Sequence, residues 1–268
     1  MLTAACSGNN GPDTAMGRSL GAFRAVKITT DTIPPADFQV DRLLTALDSL
    51  LVLPETPFGF ESDARDYVRY LGIFLGDARV TPEQTDRVVA RLDRIEARYP
   101  ILGSMVDDQR FRARNLIPGK IAPNIVGTDT QGKEFKLADY RGNIVVLIFS
   151  GDWCAPCREE YPYQRRMLER YRDDKVVRLG VNADYTLEKM QEVREQEGLD
   201  YRTWWDGPPI GPISASWKVW AFPEIYVLDT DGVILHVEER GDDLIEAVDK
   251  ALARIRKPSG KAGTLPSS

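Results

Sequence analysis

Histidine is almost missing from this chain of 268 residues, which has one, and cysteine is scarce at three. A structural zinc site needs four ligands, and with a single histidine and no second CxxC in the chain such a site is not expected. Three cysteines also cannot make a structural disulfide framework. Positive charge is not in excess: 35 Lys and Arg face 41 Asp and Glu, a formal net charge of −6. There is therefore no broad basic footprint for a phosphate backbone, and nucleic acid is not expected as a partner. Long apolar runs are lacking too. The longest, 144–149 and 225–228, fall far short of the roughly 20 residues that span a bilayer, and they read as buried strands. What is present is a 43% hydrophobic composition, enough at this length for a sizeable core and two modest domains.

Residues 1–20 are small and polar and 257–268 are rich in Gly, Lys and Ser, so both are expected to be disordered tails. Residues 21–117 read as a helical domain. Val40, Leu43, Leu44, Leu47, Leu50 and Leu51 fall on one face of a helix that should end at Pro54. A second helix follows Ser62 with Tyr67, Leu71, Phe74 and Leu75 inward. A third starts at Thr81-Pro82-Glu83-Gln84: Thr81 caps the free amides, Pro82 suits the first turn, Gln84 reaches back, and Val88, Leu92, Ile95 and Tyr99 form the buried stripe. A shorter helix over 104–115 carries Arg110, Arg112 and Arg114. These are expected to form a solvated face, since alternate positions on a helix do not face one another.

Near Pro118 the period changes, and residues 118–256 read as an α/β domain. Ile125-Val126 and residues 135–137 flank a turn with Asp129 and Gly132. Strands at 144–149, 176–181, 201–205, 225–228 and 233–237 then alternate with helices at 159–172, 187–197 and 242–254, a pattern of layered sheet and helix. No internal repeat is present.

The chemistry sits at Trp153-Cys154-Ala155-Pro156-Cys157, directly after a buried strand and at the start of the following helix. Cysteines three apart on a first turn share a face and can close a disulfide without backbone movement. Free amides and positive potential at a helix start favour the thiolate of Cys154. Pro156 costs little there, because a first-turn amide has no helical partner. Cys154 is therefore the attacking sulfur and Cys157 the resolving one. Copper(I) needs fewer soft ligands than zinc and is excluded less firmly. His236, on an edge strand, reads as a surface or packed side chain. Neither metal nor cofactor is expected.

These residues, with the Ala122-Pro123 start, the hairpin, Phe149-Ser150-Gly151-Asp152 before the pair, and Phe222-Pro223-Glu224-Ile225-Tyr226-Val227-Leu228, resemble the thioredoxin superfamily. The resemblance is to the TlpA and ResA type of extracytoplasmic thiol–disulfide oxidoreductase, over about 118–256. It implies a thioredoxin-like fold, a central mixed sheet flanked by helices, joined to the N-terminal all-α domain. It also implies a cis bond at Phe222-Pro223 that packs on the sulfurs and presents the Phe222 backbone to substrate, and an acid near the site at Glu160, for which a solvated helix position is the alternative. The helix and strand between Val181 and Trp205 look like the insertion of that type. The sequence departs from thioredoxin at Ile148, where a buried aspartate is usual, and from the family at Glu224, where threonine is common. Glu224 is the candidate to replace the missing carboxylate and exchange a proton with Cys157, or else it points to solvent. Asp152 opposes the favourable potential at Cys154. Four of the five tryptophans lie between Trp204 and Trp220; an aromatic wall of this kind suits an apolar peptide, although Trp204 and Trp217 read as core.

The implied activity is disulfide exchange in protein substrates, in the reducing direction, fed by an upstream electron donor. A thiol peroxidase would need a Pro and Thr setting before Cys154, which is absent. The rival from another class is a redox-inert binding module that uses the thioredoxin domain and the helices as a docking surface. Finally, Leu2-Thr3-Ala4-Ala5-Cys6 followed by Ser7-Gly8-Asn9-Asn10 resembles the end of a bacterial lipoprotein signal peptide and its tether. Cys6 is thus the lipidation candidate and a possible point of membrane attachment.

Overall fold

The computed structural model describes residues 80–256, with Val68 and Leu75 besides. The tails, Cys6 and the helix expected before Pro54 lie outside these residues. The chain divides into two compact units, Met1–Arg114 and Asn115–Ser268, three residues before the boundary expected at 117/118.

In the first unit Val68 and Leu75 are helical and buried. Helix α1, Pro82–Arg98, begins as its sequence dictates. The Thr81 amide donates to Gln84 Oε1 at 3.0 Å and the Gln84 amide to Thr81 Oγ1 at 3.2 Å, satisfying two first-turn donors at once. Val88, Leu92 and Ile95, at helical spacing, and then Tyr99 are buried. Helix α2, Gly103–Asn115, follows a turn of 3-10 helix. Its arginines are not a solvated face. Arg110 donates to Asp93 at 2.8 Å, to Glu96 at 2.5 Å and to Asp107 at 2.8 Å, and Arg112 is buried; only Arg114 is exposed. Two of the three carboxylates stand on α1, so spacing along α2 alone could not reveal them.

The second unit opens with an antiparallel hairpin of β1, Val126–Thr128, and β2, Glu134–Lys136. Its turn is built by the Asp129 carboxylate, which accepts the amides of Gln131 at 3.0 Å and Lys133 at 2.9 Å, with Gly132 at φ +77°. The remaining elements are β3, Ile144–Ser150; α3, Ala155–Glu159; α4, Tyr161–Arg170; β4, Val176–Asn182; α5, Leu187–Gln196; β5, Arg202–Trp205; α6, Pro212–Ser216; β6, Glu224–Leu228; β7, Ile234–Val237; and α7, Gly241–Arg256. The sheet order is β5-β4-β3-β6-β7, with β3, β4 and β5 mutually parallel and β6 and β7 antiparallel. The single helix expected over 159–172 is broken at Glu160, because Pro162 has no amide to give the Arg158 carbonyl.

Every residue of β3 is buried, so helices or loops must cover both faces of the sheet. Alternation then separates two cores. Ile144, Val146 and Ile148 of β3 join Ile225 and Val227 of β6, Met167 of α4, and Leu244, Val248 and Ala251 of α7 in one aliphatic cluster. On the other face Phe149 lies 5.4 Å from Trp217 and 6.2 Å from Tyr226 between ring centres. Trp204 stacks on Phe135 of the hairpin at 4.0 Å.

Candidate active site

Strand β3 carries the chain to the sheet edge at Ser150, where it turns through Gly151 and Asp152. The Cys154 amide donates to Gly151 O at 3.1 Å and closes that turn. Cys154 is then the extended residue that caps α3, and its Sγ accepts the Cys157 amide at 3.2 Å. The two sulfurs are joined by a disulfide with their Cα atoms 5.2 Å apart, a span that needs no distortion. Both cysteines are buried, Cys154 at 6% exposed and Cys157 completely, so the Cys157 sulfur is closed to solvent. Because α3 has five residues, the support for a thiolate on Cys154 is the local Cys157 amide rather than the dipole of a long helix.

A second strand end holds this turn in place. After β4, Ala183 N donates to Ser150 O at 2.9 Å, and Ala183 O accepts the Trp153 indole N–H at 2.9 Å. The buried Asp184 carboxylate accepts the Asp152 amide at 2.5 Å and the Asn182 side-chain amide at 2.9 Å. Burial, with Asp152 and Asp184 nearby, pushes the Tyr161 phenol upward. Asp152 itself has Lys189 Nζ at 4.0 Å, and its carbonyl accepts the Arg158 guanidinium. The Trp153 ring also meets Phe222 edge-on at 5.3 Å. The Phe222–Pro223 peptide is cis, as is Pro208–Pro209. Arg240 anchors the segment by donating to Pro223 O at 2.6 Å and pairing with Glu238 at 2.7 Å.

A family model described as the AhpC/TSA family matches residues 118–237. The thiol-disulfide oxidoreductase ResA of Bacillus thuringiensis subsp. konkukian (strain 97-27) is 32% identical over 137 residues, 51% of this chain and 78% of that protein. This chain belongs to that family of thiol–disulfide oxidoreductases. ResA of Bacillus subtilis (strain 168) is 27% identical over 137 residues, which cover 51% of this chain and 75% of that protein. Among solved structures, the thioredoxin domain of a thiol-disulfide oxidoreductase from Bacteroides vulgatus is 28% identical. It covers 52% of this chain and 99% of its own, with a TM-score of 0.47.

The oxidoreductase's two candidate carboxylates have different places. Glu160 sits between α3 and α4, is buried rather than solvated, and donates its amide to Cys157 O at 3.2 Å. Its carboxylate accepts the amide of Gly241, the first residue of α7, at 3.1 Å. Glu224 is also buried, so it does not point to solvent. It lies opposite Phe149 in the β3–β6 register and accepts the Tyr226 hydroxyl, which puts it on the aromatic face. Ile148 and Ile225 occupy the face that α4 and α7 cover, and Glu224 is one residue out of that alternation.

Trp204 and Trp217 are core residues and Trp220 is half-buried, so the expected wall reduces to Trp153 and Trp205. Reading the sequence missed Asp184 and Arg240. An Asn-Ala-Asp triplet at a strand end, the signature of a side chain that ties down neighbouring amides, was the signal for Asp184. Nothing local marks Arg240.

Proposed function

We propose that this oxidoreductase reduces disulfides in protein substrates outside the cytoplasm, with Cys154 as the attacking sulfur and Cys157 as the resolving one. The observation that carries the assignment is the unequal exposure of the two cysteine residues, 6% for Cys154 and none for Cys157, together with the Cys157 amide donated to Cys154 Sγ. The Cys154 thiolate attacks a substrate sulfur, the substrate S–S bond breaks, and the departing thiolate takes a proton. The mixed disulfide then yields to Cys157, which loses its proton, bonds to Cys154 Sγ and releases the second substrate thiol. A donor dithiol returns two electrons and two protons to the Cys154–Cys157 disulfide.

Glu160 suits the proton exchange with Cys157, being buried and set one turn from it on the same helical stretch. Trp153, Pro156, Phe222 and Pro223 shape the approach to Cys154. The carboxylate of Glu224 supports β6 through Tyr226 and takes no proton from the pair. Reduction as the net direction, and attachment through a lipidated Cys6, belong to the same reading and draw on the family pattern and the residues before Cys6.

The test is trapping. Full-length Cys157→Ser should accumulate thiol-sensitive adducts with envelope proteins, and Cys154→Ser with Cys157→Ser should accumulate none. Equal adducts from both variants would sink the assignment of the attacking sulfur.

A further inference from the structure

Four adjacent strands of the central sheet bring an aromatic side chain to the same edge. In the order β5, β4, β3, β6 these are Trp205, which ends β5, Tyr185 three residues after β4, Trp153 three residues after β3, and Phe222 just before β6. Among the described residues the large aromatics that are exposed are Trp153 at 42%, Tyr185 at 66% and Trp205 at 41%, and all three lie here. Both indoles have their polar atom satisfied by consecutive carbonyls: Trp153 donates to Ala183 O at 2.9 Å and Trp205 to Asp184 O at 3.1 Å. The rings are thus held while their apolar surfaces face water, an arrangement that water alone does not reward. With strands about 4.8 Å apart, the row from β5 to β6 covers about 15 Å, the length of roughly four to five residues of extended chain.

We propose that this edge is a platform for the polypeptide whose disulfide is attacked: an extended apolar or aromatic segment flanking the reacting cysteine lies across Trp153 toward Tyr185 and Trp205. The occupant follows from continuity with the reaction site. Trp153 is the residue before Cys154, so the aromatic row begins beside the attacking sulfur. The proposal rests on Cys154 as the attacking sulfur and adds a substrate class, proteins that present a cysteine beside exposed apolar sequence, as incompletely folded chains do. Rigid aromatic anchors of this kind dominate peptide affinity.

The experiment uses the full-length reduced protein and three disulfides: a homodimeric nonapeptide with Trp, Phe and Leu flanking its cysteine, one of equal charge with Ser, Gly and Asn instead, and oxidised glutathione. The wild type should react with the apolar peptide about tenfold faster than with the polar one. Tyr185→Ser, and more so Tyr185→Ser with Trp205→Ala, should bring that preference within about twofold. Oxidised glutathione is too short to reach Tyr185, so its rate should hold within about twofold. Tyr185→Phe should restore the preference. A preference that survives in Tyr185→Ser and in the double variant overturns the platform while leaving the redox reading intact. Equal loss toward all three disulfides also overturns it, since the substitutions would then act on the sulfurs. A wild type inert toward all three would instead overturn the underlying reading of Cys154. Sedimentation of wild type and Tyr185→Ser completes the test: a dimer that Tyr185→Ser dissolves would give the edge to a second copy of the chain and overturn the proposal.

Discussion

The two faces of the central sheet are built from different materials. The face covered by α4 and α7 is aliphatic, a cluster of Ile, Val, Leu, Ala and Met side chains closed by Tyr171. The opposite face is aromatic, with Phe149, Trp217 and Tyr226 in mutual contact, Trp204 stacked on Phe135, and the carboxyl of Glu224 buried at its end. Of the two candidate carboxylates, Glu160 stands at the junction of α3 and α4 and accepts the Gly241 amide, whereas Glu224 stands on the sheet and accepts the Tyr226 hydroxyl on the aromatic face. One step along β6 separates that face from the aliphatic one that Ile225 joins.

The contrast between the faces is broken most severely by a charge in the aliphatic layer. Ile148→Asp, which restores the residue usual in thioredoxin, should cost about 3 to 5 kcal/mol because the new carboxylate enters a layer of apolar side chains. The volume-reducing Phe149→Leu on the other face should cost only about 1 to 2 kcal/mol. Denaturant midpoints measure both, and a near-neutral Ile148→Asp would mean that this face is wetter than its packing indicates. Next in size, Glu160→Gln should slow disulfide exchange about tenfold and alter its pH profile, since proton transfer by a placed side chain accounts for effects of this order or larger. Glu224→Gln should leave rate and profile within about twofold and lower thermal stability instead. If Glu224→Gln or Glu224→Thr moves the profile and Glu160→Gln does not, the roles are reversed.

The smallest effect concerns how the aliphatic layer is closed. Tyr171 donates to Asp249 Oδ1 at 2.9 Å and has Ile245 O at 3.1 Å, and burial, with the Asp249 carboxylate, pushes its phenol up to about 12. The unfolded chain would lose this proton near pH 10, so the interaction stabilises the fold below pH 10 and its contribution is lost as pH rises toward 12. Tyr171→Phe should cost about 1 kcal/mol at neutral pH and make stability fall less steeply between pH 10 and 12. An unchanged slope would show that the phenol does not titrate with unfolding.

Local and periodic features were legible in the residues themselves. The capping box at Thr81, the all-buried strand at β3 and the cysteine pair at the start of a helix are each written in residues close together in the chain, where local geometry leaves little choice. The break at Pro162 was legible in principle, since proline removes an amide wherever it falls, and reading a continuous helix overlooked it. The arginines of α2 and the place of Glu224 were of another kind. Arg110 is held by Asp93 and Glu96, which belong to another helix. The face taken by Glu224 follows from a register of β3 on β6 that single residues do not announce.

The sequence alone therefore determined most of the elements, the alternation of strand and helix, and the cysteine pair at a helix start. Each of these depends on backbone propensity, side-chain period or the chemistry of neighbouring residues. Tertiary structure alone decided that Glu160 meets Gly241 while Glu224 meets Tyr226, that Asp184 holds the Asp152 amide and Arg240 the Pro223 carbonyl, and that Trp153, Tyr185 and Trp205 share one edge. These relations join residues far apart in the chain, as the 81 positions between Glu160 and Gly241 illustrate, and only strand register and packing bring such residues together.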